Sequence, residues 1–258
     1  MHLGPQKAFQ EPNPKSWALF ISMLQMVLMF QLGFSSSAGA SSKDHSLDHL
    51  LQEQVRPLMQ KAWDPTSQKI LAVGLVSVWG ANGQDQRIQE QWRDHQKISA
   101  SNSDYGDKLV TYGIGPMIAV TQYFFDRENS YSHMRALIST TLVTGTMKWG
   151  FGRERPDQSD HYSFPSGHSS SAFTSATSLT YAYGWKAAVV AYPVATFVAL
   201  SRLADNKHWF SDVMAGAFIG MWMGRASFFN SSELKPQSWI LLPVIENQSV
   251  GALYKIEF

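Results

Sequence analysis

Three short stretches between Lys148 and Asp212 concentrate the side chains able to do chemistry. In Lys148-Trp149-Gly150-Phe151-Gly152-Arg153-Glu154-Arg155-Pro156, a lysine and an arginine flank a glycine-containing bend. Arginine offers an oxyanion a planar fork of donors and lysine a point charge. Pro165-Ser166-Gly167-His168 opens what reads as a helix, where unpaired backbone N–H groups and the helix dipole favour an anion. His168 beside that turn can give up a proton. In Ser201-Arg202-Leu203-Ala204-Asp205-Asn206-Lys207-His208-Trp209-Phe210-Ser211-Asp212, a second arginine precedes a histidine and an aspartate four residues apart. On a helix that spacing puts His208 and Asp212 on one face, so that Asp212 fixes the imidazole tautomer and leaves the other ring nitrogen free to attack.

Each stretch has an ordinary explanation when taken alone. Basic residues complement helix C-termini, serine caps helix starts, and His-x3-Asp is a common surface pair. The ordered set Lys-x6-Arg-Pro, Pro-Ser-Gly-His, Ser-Arg-x5-His-x3-Asp resembles the type 2 phosphatidic acid phosphatase superfamily, which includes secreted bacterial acid phosphatases, membrane lipid phosphatases and vanadium haloperoxidases. The resemblance covers roughly residues 109–229. It implies that Lys148, Arg155 and Arg202 bind phosphate oxygens, with Ser166 and the backbone of Gly167 and His168 completing the cradle. It further implies that His208 attacks phosphorus and becomes a phosphohistidine, that Asp212 orients it, and that His168 protonates the leaving oxygen. Three fixed cations and backbone donors supply charge neutralisation without a metal. The expected reaction is therefore metal-independent hydrolysis of a phosphomonoester on a small molecule or lipid head group, with vanadate as an inhibitor. The alternatives are transfer to a lipid or sugar acceptor, a haloperoxidase with vanadate as cofactor, and a non-catalytic phosphate- or lipid-binding protein.

The elements that must position these groups read as helices. Apolar segments recur at Leu109–Phe125, Met134–Trp149, Ser171–Tyr183, Ala187–Leu203 and Val213–Phe229, each long enough for a helix. Residues 43–63 show amphipathic spacing, and the polar run 82–108 reads as exposed linker. At the C-terminus, Ala252, Tyr254, Ile256 and Phe258 alternate with other residues after a polar turn, which predicts a small hairpin. The fold class expected is mostly α: a helical bundle of the type 2 phosphatidic acid phosphatase kind, with that hairpin appended. The expected divisions are 1–40 as signal or anchor, 41–108 as N-terminal helices and linker, 109–229 as core and 230–258 as tail.

Residues 1–40 carry Lys7 and Lys15, an apolar run from Trp17 to Phe34 and the small residues Ala38 and Ala40, the layout of a secretory signal. An uncleaved anchor is the rival reading. The mean hydropathy of −0.18 and the polar residues within the apolar segments favour a soluble or membrane-associated bundle, delivered to the periplasm or outside, over an integral one. The polar Asp205-Asn206-Lys207 points the same way. A net charge of +1 offers no broad basic surface for nucleic acid, and the absence of cysteine excludes disulfides and thiolate metal sites. His45 and His49, with Asp48 between them, read as a polar helix face, since no third ligand is evident. His161 reads as an exposed loop residue.

Overall fold

The computed structural model describes residues 54–95, 98, 100–111, 114–229, 245–246 and 249–250. The expected signal, His45 and His49 lie outside these residues. So do most of the amphipathic stretch 43–63 and the alternating half of the C-terminal hairpin. Ile245–Glu246 and Ser249–Val250 pair antiparallel, a two-rung contact too short to count as that hairpin.

The described elements are helical: α1 (Arg56–Ala62), α2 (Pro65–Asn82), α3 (Asp85–His95), α4 (Ala100–Thr111), α5 (Ile114–Phe125), α6 (Arg127–Phe151), α7 (Gly167–Tyr183), α8 (Trp185–Ala204) and α9 (Phe210–Ala226). Local chemistry sets their ends. Asp64 caps α2 by accepting from Ser67 N–H, with Pro65 in the first turn. Asp126 caps α6 in the same way. Gly152, at φ +54°, stops α6 in the left-handed conformation one turn past Lys148, its N–H bonded to the Lys148 carbonyl. α6 begins seven residues before the apolar segment that predicts it, because its first turns are polar and carry the cap. The run 82–108, expected as exposed linker, instead forms α3 and most of α4, and it buries Asp85, Gln89 and Ser103.

The interior of the bundle is mostly small and polar. Ser67, Thr140, Thr144, Ser170, Thr174 and Ser178 are buried, as is His133, which bonds Gln122 and Ser175. Thr140 and Thr174 join hydroxyls across α6 and α7 at 2.8 Å, and Ser169 of α7 donates to the Val213 carbonyl of α9 at 2.7 Å. Large apolar side chains point outward on α2, α5, α6 and α8, among them Trp79, Phe124, Leu142 and Val190. A small apolar cluster of Ala199, Leu203 and Val213, flanked by Trp92, Phe173 and Phe210, ties α8 and α9 to α3 and α7.

α7 and α9 approach each other backbone to backbone. Gly216 and Gly220 lie one above the other on α9, and a Cβ at either would stand 2.5 Å or 2.4 Å from the carbonyls of Ser166 and Ser170. Two backbones touch here, as small residues at every fourth position allow. Gly220→Ala is expected to destabilise the fold by about 1–3 kcal/mol through overpacking against main chain that cannot swing aside. A thermal melt should show it, and an unchanged melting temperature would contradict the close contact.

Candidate active site

The three sequence motifs meet at one end of the bundle. Lys148 ends α6, Gly167 and His168 begin α7, Arg202 ends α8, and His208 sits in the turn before α9. Lys148, Arg155, Gly167, His168, Arg202 and His208 line one cavity of about 370 Å3, joined by Ser159, Asp160 and Lys207. Lysine and arginine side chains thus converge from α6, α8 and the connection that follows α6.

Ser166 is brought alongside this cavity but not into its lining. It is fully buried, its hydroxyl accepts from Ser169 N–H as the cap of α7, and its own N–H donates to the Asp212 carbonyl at 2.9 Å. Its side chain therefore shapes the helix start, and the adjoining Gly167 and His168 face the cavity.

His208 and Asp212 do not share a helix face. His208 precedes α9, Asp212 is in its first turn, and the carboxylate folds back to accept from Trp209 N–H at 2.9 Å. The pair still approaches, His208 Nδ1 lying 3.8 Å from Asp212 Oδ2. This is ion-pair range but beyond a hydrogen bond, and Nδ1 has no hydrogen-bond partner among the described residues. Nε2 lies 3.4 Å from Arg155 Nη1, on the cavity side. Burial pushes the His208 imidazole below its ordinary pKa while Asp212 pulls it upward, with a net lowering. At neutral pH the ring is therefore uncharged, the form that carries a nucleophilic lone pair.

The cations of the cavity already have hydrogen-bond partners within the chain. Arg155 Nε donates to Asp160 at 2.7 Å, and its Nη1 reaches the Lys207 carbonyl. Lys148 Nζ donates to the Tyr162 carbonyl at 2.5 Å. Arg202 Nη1 bonds Asp107 at 2.6 Å and Asp205 at 3.0 Å, and the same Asp107 oxygen lies 3.2 Å from His168 Nε2. Such partners orient the forks and leave other N–H groups for a tetrahedral oxyanion.

Asp107 and Arg153 are the residues that the motifs did not disclose. Asp107 comes from α4 and has no recognisable spacing to the motifs. Arg153 stands inside the first motif, two positions before Arg155, and donates to Asp212 Oδ1 at 2.6 Å and Ser211 Oγ at 2.7 Å. Ser163 also donates to Asp212. Trp209 stacks beside Arg153, while Trp149 is exposed on α6. His161 is exposed, as expected.

A mostly α-helical bundle with this cavity at one end is the arrangement that the motifs imply. Residues 132–233 match the PAP2 superfamily, and the chain resembles that superfamily. It is 41% identical over 87 residues to a lipid A 1-phosphatase of Porphyromonas gingivalis, covering 33% of this chain and 20% of that protein. It is 35% identical over 119 residues to a lipid A 4'-phosphatase of Helicobacter pylori, covering 46% and 58%. The chain spans between 20% and 58% of the length of these curated relatives. A crystal structure of Aquifex aeolicus LpxE superposes with a TM-score of 0.43 at 23% identity, over 49% of this chain and 81% of that one.

Proposed function

We propose that the protein is a phosphatase of the PAP2 kind that hydrolyses a phosphomonoester on a lipid, through a phosphohistidine on His208. The observation that carries this reading is the convergence of Lys148, Arg155, Arg202, His168 and His208 on one cavity. Lys148, Arg155, Arg202 and the N-terminus of α7 receive the phosphate oxygens. The neutral His208 Nε2 attacks phosphorus, and the bond to the ester oxygen breaks as the N–P bond forms. Asp212 stabilises the positive charge that develops on the ring. His168 gives its proton to the leaving alkoxide, then accepts one from the water that cleaves the N–P bond and releases phosphate. Charge neutralisation comes from side chains of this chain, so the reaction needs no metal.

The lipid part of the proposal rests on the outer surface. Tyr131, Ile138, Leu142 and Trp149 are 57–67% exposed and form a single stripe on α6. From Tyr131 to Trp149 the stripe runs about 27 Å at 1.5 Å per residue, close to the hydrocarbon thickness of a bilayer, with an aromatic residue at each end. Among the described residues, Trp185–Ala204 is the helix long and apolar enough to cross a membrane, and only 33% of its apolar window is buried inside the bundle. A core helix of a water-soluble protein would be mostly covered. The polar interior and apolar exterior thus favour a bundle seated in a bilayer, a reading that replaces the soluble one drawn from mean hydropathy. The relatives named lipid A phosphatases support a phosphorylated lipid as substrate.

Hydrolysis rates on a phosphorylated lipid in mixed micelles and on a soluble aryl phosphate, with and without EDTA, test the reading. Release of phosphate from the lipid, undiminished by EDTA, is expected. Activity lost to EDTA and restored by Mg²⁺ would overturn the metal-free mechanism. Extraction of the protein from membranes by carbonate alone would overturn the bilayer seat.

A further inference from the structure

Asp85 opens α3, 47 residues before the segment that matches the PAP2 superfamily begins. It is 4% exposed, and three donors converge on it. Oδ1 accepts from Ser211 N–H at 2.8 Å, while Oδ2 accepts from Ser211 Oγ at 2.6 Å and Arg153 Nη2 at 2.8 Å. The other end of the same guanidinium, Nη1, holds Asp212 Oδ1 at 2.6 Å. Arg153 is thus clamped between two carboxylates, and the second of them faces His208 Nδ1.

We infer that Asp85 is a positioning residue for His208, acting through Arg153 and Asp212. The inference rests on the reading of His208 as the nucleophile. Two effects follow from the geometry. Asp85 fixes the guanidinium plane, so Arg153 occupies Oδ1 of Asp212 and leaves Oδ2 turned toward the imidazole. Asp85 also shares the positive charge of Arg153. Without that share, Arg153 neutralises Asp212 more completely, and Asp212 stabilises the imidazolium less.

The sign of the effect is fixed. With a weaker Asp212, protonated His208 is disfavoured and the ring titrates at lower pH. The other charged groups around His208 are Lys148 on α6, Arg155 in the connection, and His168 and Arg202 across the cavity on α7 and α8, with Asp160 and Lys207 at its rim. None of them bonds Asp85, so substitution there leaves them in place.

The test is Asp85→Asn in the full-length protein in detergent, with 15N-histidine labelling and His208 assigned by loss of its signal in His208→Ala. We expect the His208 titration to move down by ~0.5 unit or more, as a change in one nearby charge shifts a pKa. Turnover of a phosphorylated lipid should fall about 10–100-fold in kcat, by analogy with the loss when the outer partner of a metal-ligating histidine is removed, with KM nearly unchanged. Asp85→Glu should keep the wild-type titration, and Arg153→Lys, which can hold only one of the two carboxylates, should move the titration away from wild type even if Asp85→Asn folds poorly. A His208 titration identical in wild type, Asp85→Asn and Arg153→Lys overturns the inference, as does a loss of kcat that only tracks the folded fraction. Wild-type protein that forms no phosphoenzyme refutes the proposed function instead, and the NMR titration still decides the role of Asp85.

Discussion

His208→Ala should abolish turnover, by on the order of a millionfold in kcat as for other catalytic nucleophiles, and should leave nothing to trap as a phosphoenzyme. The size follows from the absence of a substitute. Nε2 of His208 faces the cavity beside Arg155, and the other histidine in the lining, His168, is placed against Asp107 and Arg202. Phosphate binding should survive, because Lys148, Arg155 and Arg202 are untouched. Wild-type kcat/KM should rise with pH through the titration of His208, and burial puts that limb below the ordinary histidine value. Rapid quench of labelled substrate into alkaline denaturant, which preserves a P–N bond, checks the trapping, and a pH–rate profile checks the limb. An alanine variant that still traps label would move the nucleophile to another residue.

Asp212→Asn carries the second-largest effect, with kcat lower by about ten-thousandfold, the loss seen when the carboxylate behind a catalytic histidine becomes an amide. Asp212 is fully buried and receives Arg153 on one oxygen and Ser163 and Trp209 N–H on the other. An amide keeps the shape, loses the charge that stabilises the imidazolium, and turns an NH₂ toward existing donors. The variant should therefore also melt at lower temperature. Steady-state kinetics beside a thermal melt separate the two consequences. A folded variant within tenfold of wild type would show that Asp212 only supports the turn.

Much of this site could be read along the chain because its chemistry is local. Pro-Ser-Gly-His predicts a capped helix start, and Ser166 and Gly167 provide one. The helix ends that carry Lys148 and Arg202 follow from apolar segments that stop at polar residues. Asp85 and Asp107 were illegible for a physical reason. They belong to a polar run whose composition resembles solvated linker, and only tertiary contact with Arg153, Ser211 and Arg202 gives them partners. His208 and Asp212 were placed on one helix by spacing alone. The competing demand was the free N–H of Trp209, which draws Asp212 back as a cap and starts α9 after the histidine. Mean hydropathy is blind in a similar way: polar loops and buried hydroxyls lower an average that says nothing about which residues face outward.

The backbone contact at Gly216 and Gly220 reaches beyond stability. α7 carries the turn proposed to bind the anion, and α9 begins just after His208, the proposed nucleophile. Main chain against main chain leaves no side chain to compress or rotate, so the distance from cradle to imidazole is set by the peptide itself. Variation among substrates must then be accommodated elsewhere, on the side of the cavity lined by Ser159 and Asp160 of the connection after α6. Changes in head-group preference are expected to arise there without retuning the reaction centre.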